Sequence, residues 1–454
     1  MLTSINPTNN NTIKSYAEMQ NDEISKIISH TDEVFKNWKE TSFTHRSKLM
    51  HNAANVLRNN SEEYSLLMTT EMGKPIKQSR AEVEKCAWVC DYYADNAEKF
   101  LTDEIIKTEA SKSFVSYQPL GVILAIMPWN FPFWQVFRFA VPNLMAGNAG
   151  LLKHASNVSG CALAIEDIFR KAGFPENLFR TLLVSSKNTS QVISNKKVQA
   201  VTLTGSVPAG KAVASLAGSL IKKTVLELGG SDPYIILEDA DLEQAAMSCV
   251  TSRLINAGQS CIAAKRFIIV ESVYDQFEKL FLDFMSKKKM GDPLDEKNDL
   301  GPQASLELRD QLQDQVLRSI EQGAELILGG IIPDMDGAYY PPTILRNVKP
   351  GMAAFDEELF GPVAALIKAK DEDEAIKLSN KSIFGLGAAV FTKNIERGER
   401  IAKEKLDAGC CFVNDFVKSD PRLPFGGIKE SGYGTELSSF GIKEFVNIKT
   451  VYNK

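Results

Sequence analysis

The chain has 454 residues, of which 44% are hydrophobic and 24% are charged, and this predicts a globular protein of one very large domain or two to three ordinary ones. A formal net charge of −5 argues against a nucleic-acid-binding surface, and no apolar run approaches the ~20 residues that a membrane span needs. Residues 1–14 are polar and contain no apolar signal-peptide core.

The cysteines and histidines do not follow a metal-binding pattern. Seven cysteines are scattered along the chain without a CxxC pair, and the four histidines lie far from them in sequence. Neither a zinc site nor a disulfide framework is therefore predicted. We expect a reduced, cytoplasmic protein that uses no metal.

The first hundred residues are predicted to be mostly helical. Apolar and charged residues recur at helical spacing through residues 21–100, with an interruption at 71–75. The period then changes, because residues 113–119 alternate like a strand and residues 122–126 form a buried-strand run.

Residues 128–132, Pro-Trp-Asn-Phe-Pro, form a rigid turn directly after that buried strand. Two prolines four positions apart exclude a regular helix or a central strand. Ligands bind at the carboxyl ends of strands in open α/β sheets, so Asn130 could donate its amide to a developing oxyanion. The alternative is a structural asparagine in a turn.

Arg138 is an isolated charge in the apolar run at residues 133–142. A cation in such surroundings should be paired or functional. It could bind a carboxylate through two hydrogen bonds, or it could form an internal salt bridge. Both alternatives stay open.

Two segments carry candidate nucleotide contacts. Residues 150–153 form a short strand ending at Lys153, which could bind ribose hydroxyls or simply be an exposed lysine. Gly205 to Ala212 connects a predicted strand to a predicted helix and comes within one residue of the P-loop pattern. Because Ala212 has no hydroxyl for Mg²⁺, phosphoryl transfer is not predicted. The turn could still present a pyrophosphate to the helix N-terminus, although such turns also occur without ligands.

Glu227 and Cys261 are the candidate reactive groups. Glu227 stands between two leucines, where burial would raise its pKa and suit it to act as a general base, unless a nearby donor pairs with it. Cys261 follows a helix predicted over residues 242–256, with Asp241 as its N-cap and Gly258 as its stop. The thiol should therefore lie on an accessible turn, although a buried structural cysteine is the alternative.

From residue 231 to residue 430, predicted strands alternate with predicted helices, which is typical of an α/β protein. The alternating run at residues 444–452 predicts an edge strand that pairs with another part of the fold or with another subunit.

Together these motifs resemble the aldehyde dehydrogenase superfamily over nearly the whole chain, and within it the short bacterial succinate-semialdehyde dehydrogenases. The resemblance implies an α/β fold with a Rossmann-type coenzyme domain, an α/β catalytic domain and a β-strand oligomerisation arm. The implied boundaries are 1–105 and 128–229 for the coenzyme domain, 230–432 for the catalytic domain, and 106–127 and 433–454 for the arm.

The resemblance also assigns roles to individual residues. Cys261 is the implied nucleophile, Glu227 the general base and Asn130 the oxyanion donor. The implied coenzyme-binding residues are Trp129, Lys153, Ser156, Gly205, Ser206, Gly210, Glu358 and Phe360. The implied substrate-binding residues are Trp134, Arg138, Ser419 and Arg422.

The implied reaction is NAD(P)-dependent oxidation of an aldehyde, with succinate semialdehyde as the expected substrate and succinate as the product. Cys261 attacks the aldehyde to give a thiohemiacetal, the hydride passes to the coenzyme, and Glu227 activates the water that releases the acid from the thioacyl intermediate. The implied assembly is a homodimer or homotetramer that involves no nucleic acid and no membrane.

Two departures from the family pattern affect coenzyme and substrate. Ser156 stands where many NAD-preferring members have a glutamate, and without that charge a 2′-phosphate is not repelled, so NAD or NADP is expected. Ile255 stands where some succinate-semialdehyde dehydrogenases have an arginine. Carboxylate binding would then depend on Arg138, with help from Ser419 or Arg422.

Three alternative functions stay open: oxidation of another small aldehyde, a CoA-acylating dehydrogenase, and a catalytically silent structural or binding relative. Glu227 argues against the second, because a thiol acceptor needs no water-activating carboxylate. The complete set of Cys261, Glu227 and Asn130 argues against the third.

Overall fold

The fold is described by a computed structural model that covers residues 1–454. Its α-helices are α1 (Asn21–Trp38), α2 (Phe43–Asn59), α3 (Ser61–Met72), α4 (Ile76–Phe100), α5 (Trp134–Met145), α6 (Ser159–Lys171), α7 (Ser186–Ser194), α8 (Val207–Ser219), α9 (Leu242–Leu254), α10 (Tyr274–Ser286), α11 (Leu306–Glu321), α12 (Ala353–Asp356), α13 (Glu372–Asn380), α14 (Ile395–Glu404) and α15 (Ser438–Gly441).

The strands form two large sheets and three small ones. They are β1 (Leu2–Ile5), β2 (Thr12–Tyr16), β3 (Glu104–Ile105), β4 (Lys112–Pro119), β5 (Val122–Met127), β6 (Ala149–His154), β7 (Phe179–Thr181), β8 (Val198–Thr204), β9 (Lys223–Glu227), β10 (Pro233–Ile236), β11 (Arg266–Val270), β12 (Glu325–Leu328), β13 (Thr343–Arg346), β14 (Val363–Ala369), β15 (Phe384–Gly385), β16 (Gly387–Phe391), β17 (Cys410–Val413), β18 (Ile428–Lys429), β19 (Gly432–Tyr433) and β20 (Val446–Asn453).

The first large sheet has six strands in the order β19-β9-β8-β5-β6-β7, and all neighbours are parallel except β19 and β9. Its central strands are continuous apolar runs because helices cover both faces of a parallel sheet. Val122 to Ala125 are fully buried, for example. The carboxyl ends of β5, β6, β8 and β9 therefore share one edge, and at that edge the chain leaves for the turns at residues 128–132, 155–158 and 205–206.

The second large sheet has seven strands in the order β12-β13-β14-β11-β10-β16-β17 and is parallel except for β12. Its strands are equally apolar; Tyr234, Ile235 and Ile236 of β10 are fully buried. The α/β fold class is confirmed by these two helix-covered parallel sheets.

A three-stranded sheet, in the order β20-β4-β3, lies apart from both large sheets. The predicted terminal edge strand is confirmed as β20, which pairs antiparallel with β4 from Val446↔Pro119 to Asn453↔Lys112. One predicted arm boundary is wrong. Residues 122–127 form β5 and pair with β6 and β8 inside the six-stranded sheet, because this apolar run needs burial on both faces.

Helices α1 to α4 confirm the helical periodicity of the first hundred residues. The long helix α4 packs against α2, α3 and α5, and its cysteines Cys86 and Cys90 are fully buried core residues. One face of α4 thereby reaches the start of α5, next to the turn at residues 128–132. No helix combines the length and apolar character that crossing a bilayer requires.

Candidate active site

Cys261 lies on a turn that follows α9. The Asp241 side chain accepts a hydrogen bond from the Gln244 amide at 3.1 Å, so the predicted N-cap is confirmed. The helix ends at Leu254, two residues earlier than predicted, because the chain enters the left-handed region at Asn256, Ala257 and Gly258.

Gly258 is required by a close backbone approach. A Cβ atom at this position would lie 2.2 Å from the carbonyl oxygen of Gly361, which is shorter than any real contact. The φ of Gly258, +78°, is also unfavourable for other residues. The nucleophile turn is thus packed directly against the segment that contains Glu358 and Phe360.

Asn130 points at this same turn. Its Nδ2 donates to the Gln259 carbonyl at 3.1 Å, and the Asn256 amide donates to the Asn130 carbonyl at 2.7 Å. The side chain is 4% exposed. One amide hydrogen is therefore committed to the nucleophile turn, and the second is free for an oxyanion formed at Cys261.

Two residues that the sequence did not single out hold the Asn130 turn. Glu82 on α4 accepts the amides of Phe133 and Trp134 through one oxygen, at 2.9 Å each, and pairs with Lys74 through the other. This places a carboxylate at the N-terminus of α5. Its only sequence signal was a carboxylate on the apolar face of a helix.

The second is His154, which follows Lys153 at the end of β6. Its Nε2 donates to the Pro132 carbonyl at 2.9 Å, while Nδ1 accepts the Ala155 amide at 2.9 Å. Burial lowers the pKa of His154 to about 4, so the ring is neutral and both nitrogens serve the backbone.

Glu227 ends β9 and is 2% exposed, and neither of its carboxylate oxygens has a hydrogen-bond partner. Burial raises its pKa well above the ordinary value; the charge of Glu436 adds to the shift and that of Arg138 opposes it. The alternative of a carboxylate paired with a nearby donor is therefore not what the structure contains. An unpaired, desolvated carboxylate of this kind is a competent general base.

The Cys261 thiol is protonated at rest. Burial raises its pKa to about 12; the cations Arg138 and Lys265 offset part of this shift, and Glu358 and Glu227 add to it. The thiol therefore needs a base, or the approach of a positive charge, before it can attack.

Cys261 opens onto a cavity of about 410 Å³ with a largely apolar wall. The wall includes Phe131, Trp134, Ile255, Phe416 and Phe425. Its charged residues are Glu82 and Lys85 on α4, Arg138 on α5 and Lys418 in the segment after β17, where Ser419 adds a hydroxyl. The cavity is large enough for a small aldehyde.

The structure separates the two predicted arginines. Arg138 lies in the cavity wall, 2% exposed, where it pairs through Nε with Glu436 and stacks over Phe425. The internal salt bridge is thus the alternative observed, although Arg138 Nη2 keeps no hydrogen-bond partner. Arg422 is not part of the cavity wall; its exposed side chain pairs with Asp420 at 2.6 Å.

Trp134 and Ser419, which the resemblance assigns to substrate binding, lie in the cavity wall and contact each other. Trp134 Nε1 donates to Ser419 Oγ at 3.1 Å. The same oxygen accepts from Lys85 Nζ at 2.8 Å, and this ammonium lies 4.2 Å from the centre of the Trp134 ring. Sequence reasoning missed Lys85, because a lysine on a charged amphipathic helix normally faces solvent.

The predicted coenzyme residues line up along the carboxyl edge of the six-stranded sheet. Lys153 is half-buried at the end of β6, has no ion pair, and its pKa is lowered by burial. Ser156 is exposed at the start of the turn that follows. Gly205 and Ser206 connect β8 to α8, with Ser206 as the helix N-cap.

The remaining coenzyme candidates lie on α8, directly after β5 and in the segment before β14. Gly210 is on α8, where a Cβ atom would lie 2.6 Å from the Leu228 side chain, so glycine lets this helix approach the end of β9 without displacing that leucine. Glu358 accepts the Gly230 amide at 3.0 Å. The rings of Trp129 and Phe360 meet edge to face at 5.8 Å.

The chain is similar to known proteins over its whole length. The model of the aldehyde dehydrogenase family matches residues 1–451. The chain is 50% identical over 451 residues to a probable NADP⁺ succinate-semialdehyde dehydrogenase of Synechocystis, with 99% of both chains covered. It is 47% identical over 449 residues to the NAD(P)⁺ succinate semialdehyde dehydrogenase Sad of Escherichia coli, covering 99% of this chain and 97% of that one.

Among solved structures, succinic semialdehyde dehydrogenase of Streptococcus pyogenes in complex with NADP⁺ superposes with a TM-score of 0.97. It is 38% identical in sequence, and the match covers 100% of this chain and 99% of that chain.

Proposed function

The chain belongs to the aldehyde dehydrogenase family and is an NAD(P)-dependent oxidoreductase, and from this premise we propose that it oxidises succinate semialdehyde to succinate. The observation that carries the proposal is the cavity of about 410 Å³ in which the Cys261 thiol meets an apolar wall that also holds cationic side chains. Such a cavity suits a short aldehyde with an acidic far end. The names of the relatives support the same substrate.

In the proposed reaction, Cys261 attacks the aldehyde carbon as a thiolate and forms a thiohemiacetal. The free amide hydrogen of Asn130 and the Cys261 backbone N–H stabilise the oxyanion. Because burial raises the pKa of the thiol, its proton must be lost to water in the cavity as attack begins.

We propose that NAD or NADP binds along the carboxyl edge of the six-stranded sheet. Lys153 has no anionic partner there, Ser156 adds no negative charge, and the N-terminus of α8 offers unpaired amides. These features suit a ribose carrying a 2′-phosphate and a pyrophosphate. When bound, the coenzyme supplies the hydride acceptor. Trp129, Glu358 and Phe360 would face its nicotinamide half.

Glu227 completes the proposed cycle by deprotonating the water that releases the acid from Cys261. A desolvated carboxylate with two vacant oxygens can accept that proton, and Arg138 beside it limits the cost of its charge.

The direct test is NAD(P)H formation with succinate semialdehyde and with butyraldehyde, which has the same chain length but no carboxylate. We expect a clear preference in kcat/KM for the acidic aldehyde with the wild-type protein. Equal kcat/KM values for the two aldehydes would contradict the substrate assignment and would favour oxidation of another small aldehyde. Product formation that depends on added CoA would favour the acylating alternative, and no NAD(P)H with any aldehyde would favour a silent relative.

We further propose a homodimer or homotetramer in the cytoplasm, with the six-stranded sheet at the centre of the coenzyme domain and the seven-stranded sheet at the centre of the catalytic domain. The exposed side of β20 supports an assembly role, since Ile448 is 62% exposed there. Seven free thiols fit a reducing compartment. Truncation after Gly441 should yield monomers or aggregates in light scattering, whereas a stable and active oligomer would contradict the assembly role.

A further inference from the structure

Lys85 is a cation in the aldehyde cavity without a counter-ion. It forms no ion pair; its ammonium has one hydrogen bond, to Ser419 Oγ at 2.8 Å, and lies on the face of Trp134. The two carboxylates whose charges act on it are engaged elsewhere, Glu82 with Lys74 and Asp420 with Arg422. Two of its three N–H donors are therefore uncommitted.

Ser419 adds a third free donor at the same place. Its hydroxyl oxygen accepts from both Lys85 Nζ and Trp134 Nε1, so its own hydrogen cannot be used in either bond. That hydrogen has no partner among the hydrogen bonds of the chain. Two ammonium hydrogens and one hydroxyl hydrogen together match the acceptor capacity of one carboxylate.

The other two cations of the cavity wall are already paired, Lys418 with Asp415 at 2.6 Å and Arg138 with Glu436. Glu436 forms an ion pair with the Arg138 Nε, which leaves Nη2 as a donor but offsets part of the guanidinium charge. A carboxylate entering a largely apolar cavity needs positive charge to offset its desolvation, and a paired arginine supplies less of it than an unpaired lysine.

We propose that Lys85, together with the Ser419 hydroxyl, binds the distal carboxylate of the aldehyde substrate and thereby sets the preference for an acidic aldehyde. This inference depends on the proposed function, because it names the group that recognises the proposed substrate. Lys85 acts here as a substrate-binding residue, and Arg138 serves mainly to pair with Glu436 and to offset the charge of Glu227.

The test is the ratio of kcat/KM for succinate semialdehyde to kcat/KM for butyraldehyde. Lys85→Met keeps the length and the apolar stem but removes the charge, and it should lower this ratio by about thirty-fold or more. Lys85→Arg should recover part of the ratio. Lys77→Met, at an exposed position on the same helix, is the matched control and should leave the ratio unchanged.

The proposed substrate and the role of Lys85 can be contradicted separately. If the wild-type protein shows no preference for succinate semialdehyde, the proposed substrate is wrong. If the wild type shows the preference and Lys85→Met keeps it, while Arg138→Gln abolishes it, the assignment to Lys85 is overturned. Arg138→Gln is expected instead to impair both aldehydes, because it leaves Glu436 without its partner.

A binding measurement that needs no turnover separates recognition from misfolding. Succinate, which carries the same carboxylate, should raise the melting temperature of the coenzyme-free wild-type protein, and the shift should be lost in Lys85→Met. Ser419→Ala should reduce the shift without abolishing it. Equal succinate-dependent shifts in the wild type and in a folded Lys85→Met variant would overturn the inference.

Discussion

The cavity beside Cys261 and the carboxyl edge of the six-stranded sheet, where we propose that the coenzyme binds, each contain a half-buried lysine without an ion pair. Lys85 lies in the cavity, and Lys153 lies at the edge. The difference is in their neighbours. The pKa of Lys153 is lowered by burial, with no contribution from another charge, whereas Lys85 is also influenced by Arg138. In the cavity, the unpaired Lys85 is therefore a better candidate for binding an anion than the paired Arg138, and at the sheet edge Lys153 is the unpaired cation.

The largest effect is expected when the nucleophile is removed and both lysines are kept. Cys261→Ala should reduce aldehyde oxidation by at least about four orders of magnitude, because no other thiol reaches the cavity. Coenzyme binding, measured by fluorescence titration, should persist. Cys411→Ala is the matched control. Turnover near the wild-type level in Cys261→Ala would contradict the mechanism.

Glu227→Gln should separate the two halves of the reaction. Steady-state turnover should fall by about 10²–10⁴-fold, while a burst of NAD(P)H remains in rapid-mixing experiments. The raised pKa of Glu227 also predicts that wild-type turnover increases as the pH rises through that pKa, because the base is active only when ionised. An equal fall in burst and steady state would place Glu227 in the activation of Cys261 instead.

Lys153→Met tests whether the lysine at the sheet edge binds the coenzyme. The KM for NADP should rise by about tenfold, because a hydrogen bond from a charged donor is lost at a partly exposed site. The preference between succinate semialdehyde and butyraldehyde should not change. Lys196→Met, at an exposed position before β8, is the control. A change in aldehyde preference would show that the two lysines do not act on separate ligands.

Ser156→Glu tests whether the edge tolerates a negative charge. The added carboxylate should raise the KM for NADP by about fivefold to tenfold and affect the KM for NAD little, since only NADP carries a 2′-phosphate. Initial rates with both coenzymes provide the internal control. Equal effects would show that residue 156 does not face the ribose 2′ position.

The smallest expected effect is the change of the aldehyde preference with pH. Burial and the charge of Arg138 on α5 lower the pKa of Lys85 to about 8, while Cys86 and Glu82 on α4 and Asp420 in the segment after β17 oppose that shift. Lys85 is charged below this pH and neutral above it. The aldehyde preference should therefore fall about fivefold between pH 8 and pH 9.

A charge that does not titrate in this range provides the control for that profile. Lys85→Arg should keep the aldehyde preference constant over the same interval, because guanidinium stays protonated. A wild-type preference that is independent of pH would contradict the role of Lys85.

The local elements were predictable because their signals are short-range. Asp241 and Gln244 indicated the start of α9, and two prolines around Asn130 indicated a rigid turn. The boundary error at residues 122–127 arose because pairing partners, β6 and β8, are not encoded in the apolar run itself.

The pairing of charges was not predictable in the same way. Arg138 meets Glu436, and Lys85 meets Ser419 334 residues further along the chain. The charge of a cation is offset only if the fold brings a carboxylate within about 4 Å of it, and no periodicity or motif carries that information. An isolated arginine in an apolar run therefore looked more functional than a lysine on a charged helix.

Hydrophobic period, helix capping and proline or glycine geometry act over a few residues, so the amino-acid order alone specifies the helices, the strands and the local conformation around Asn130, Glu227 and Cys261. Which cations stay without a paired carboxylate, and that Lys85 lines the cavity while Arg422 does not, follow from the folded chain. Burial and ion pairing are properties of neighbours in space, and α4, α5 and the segment after β17 become neighbours only when the chain is folded.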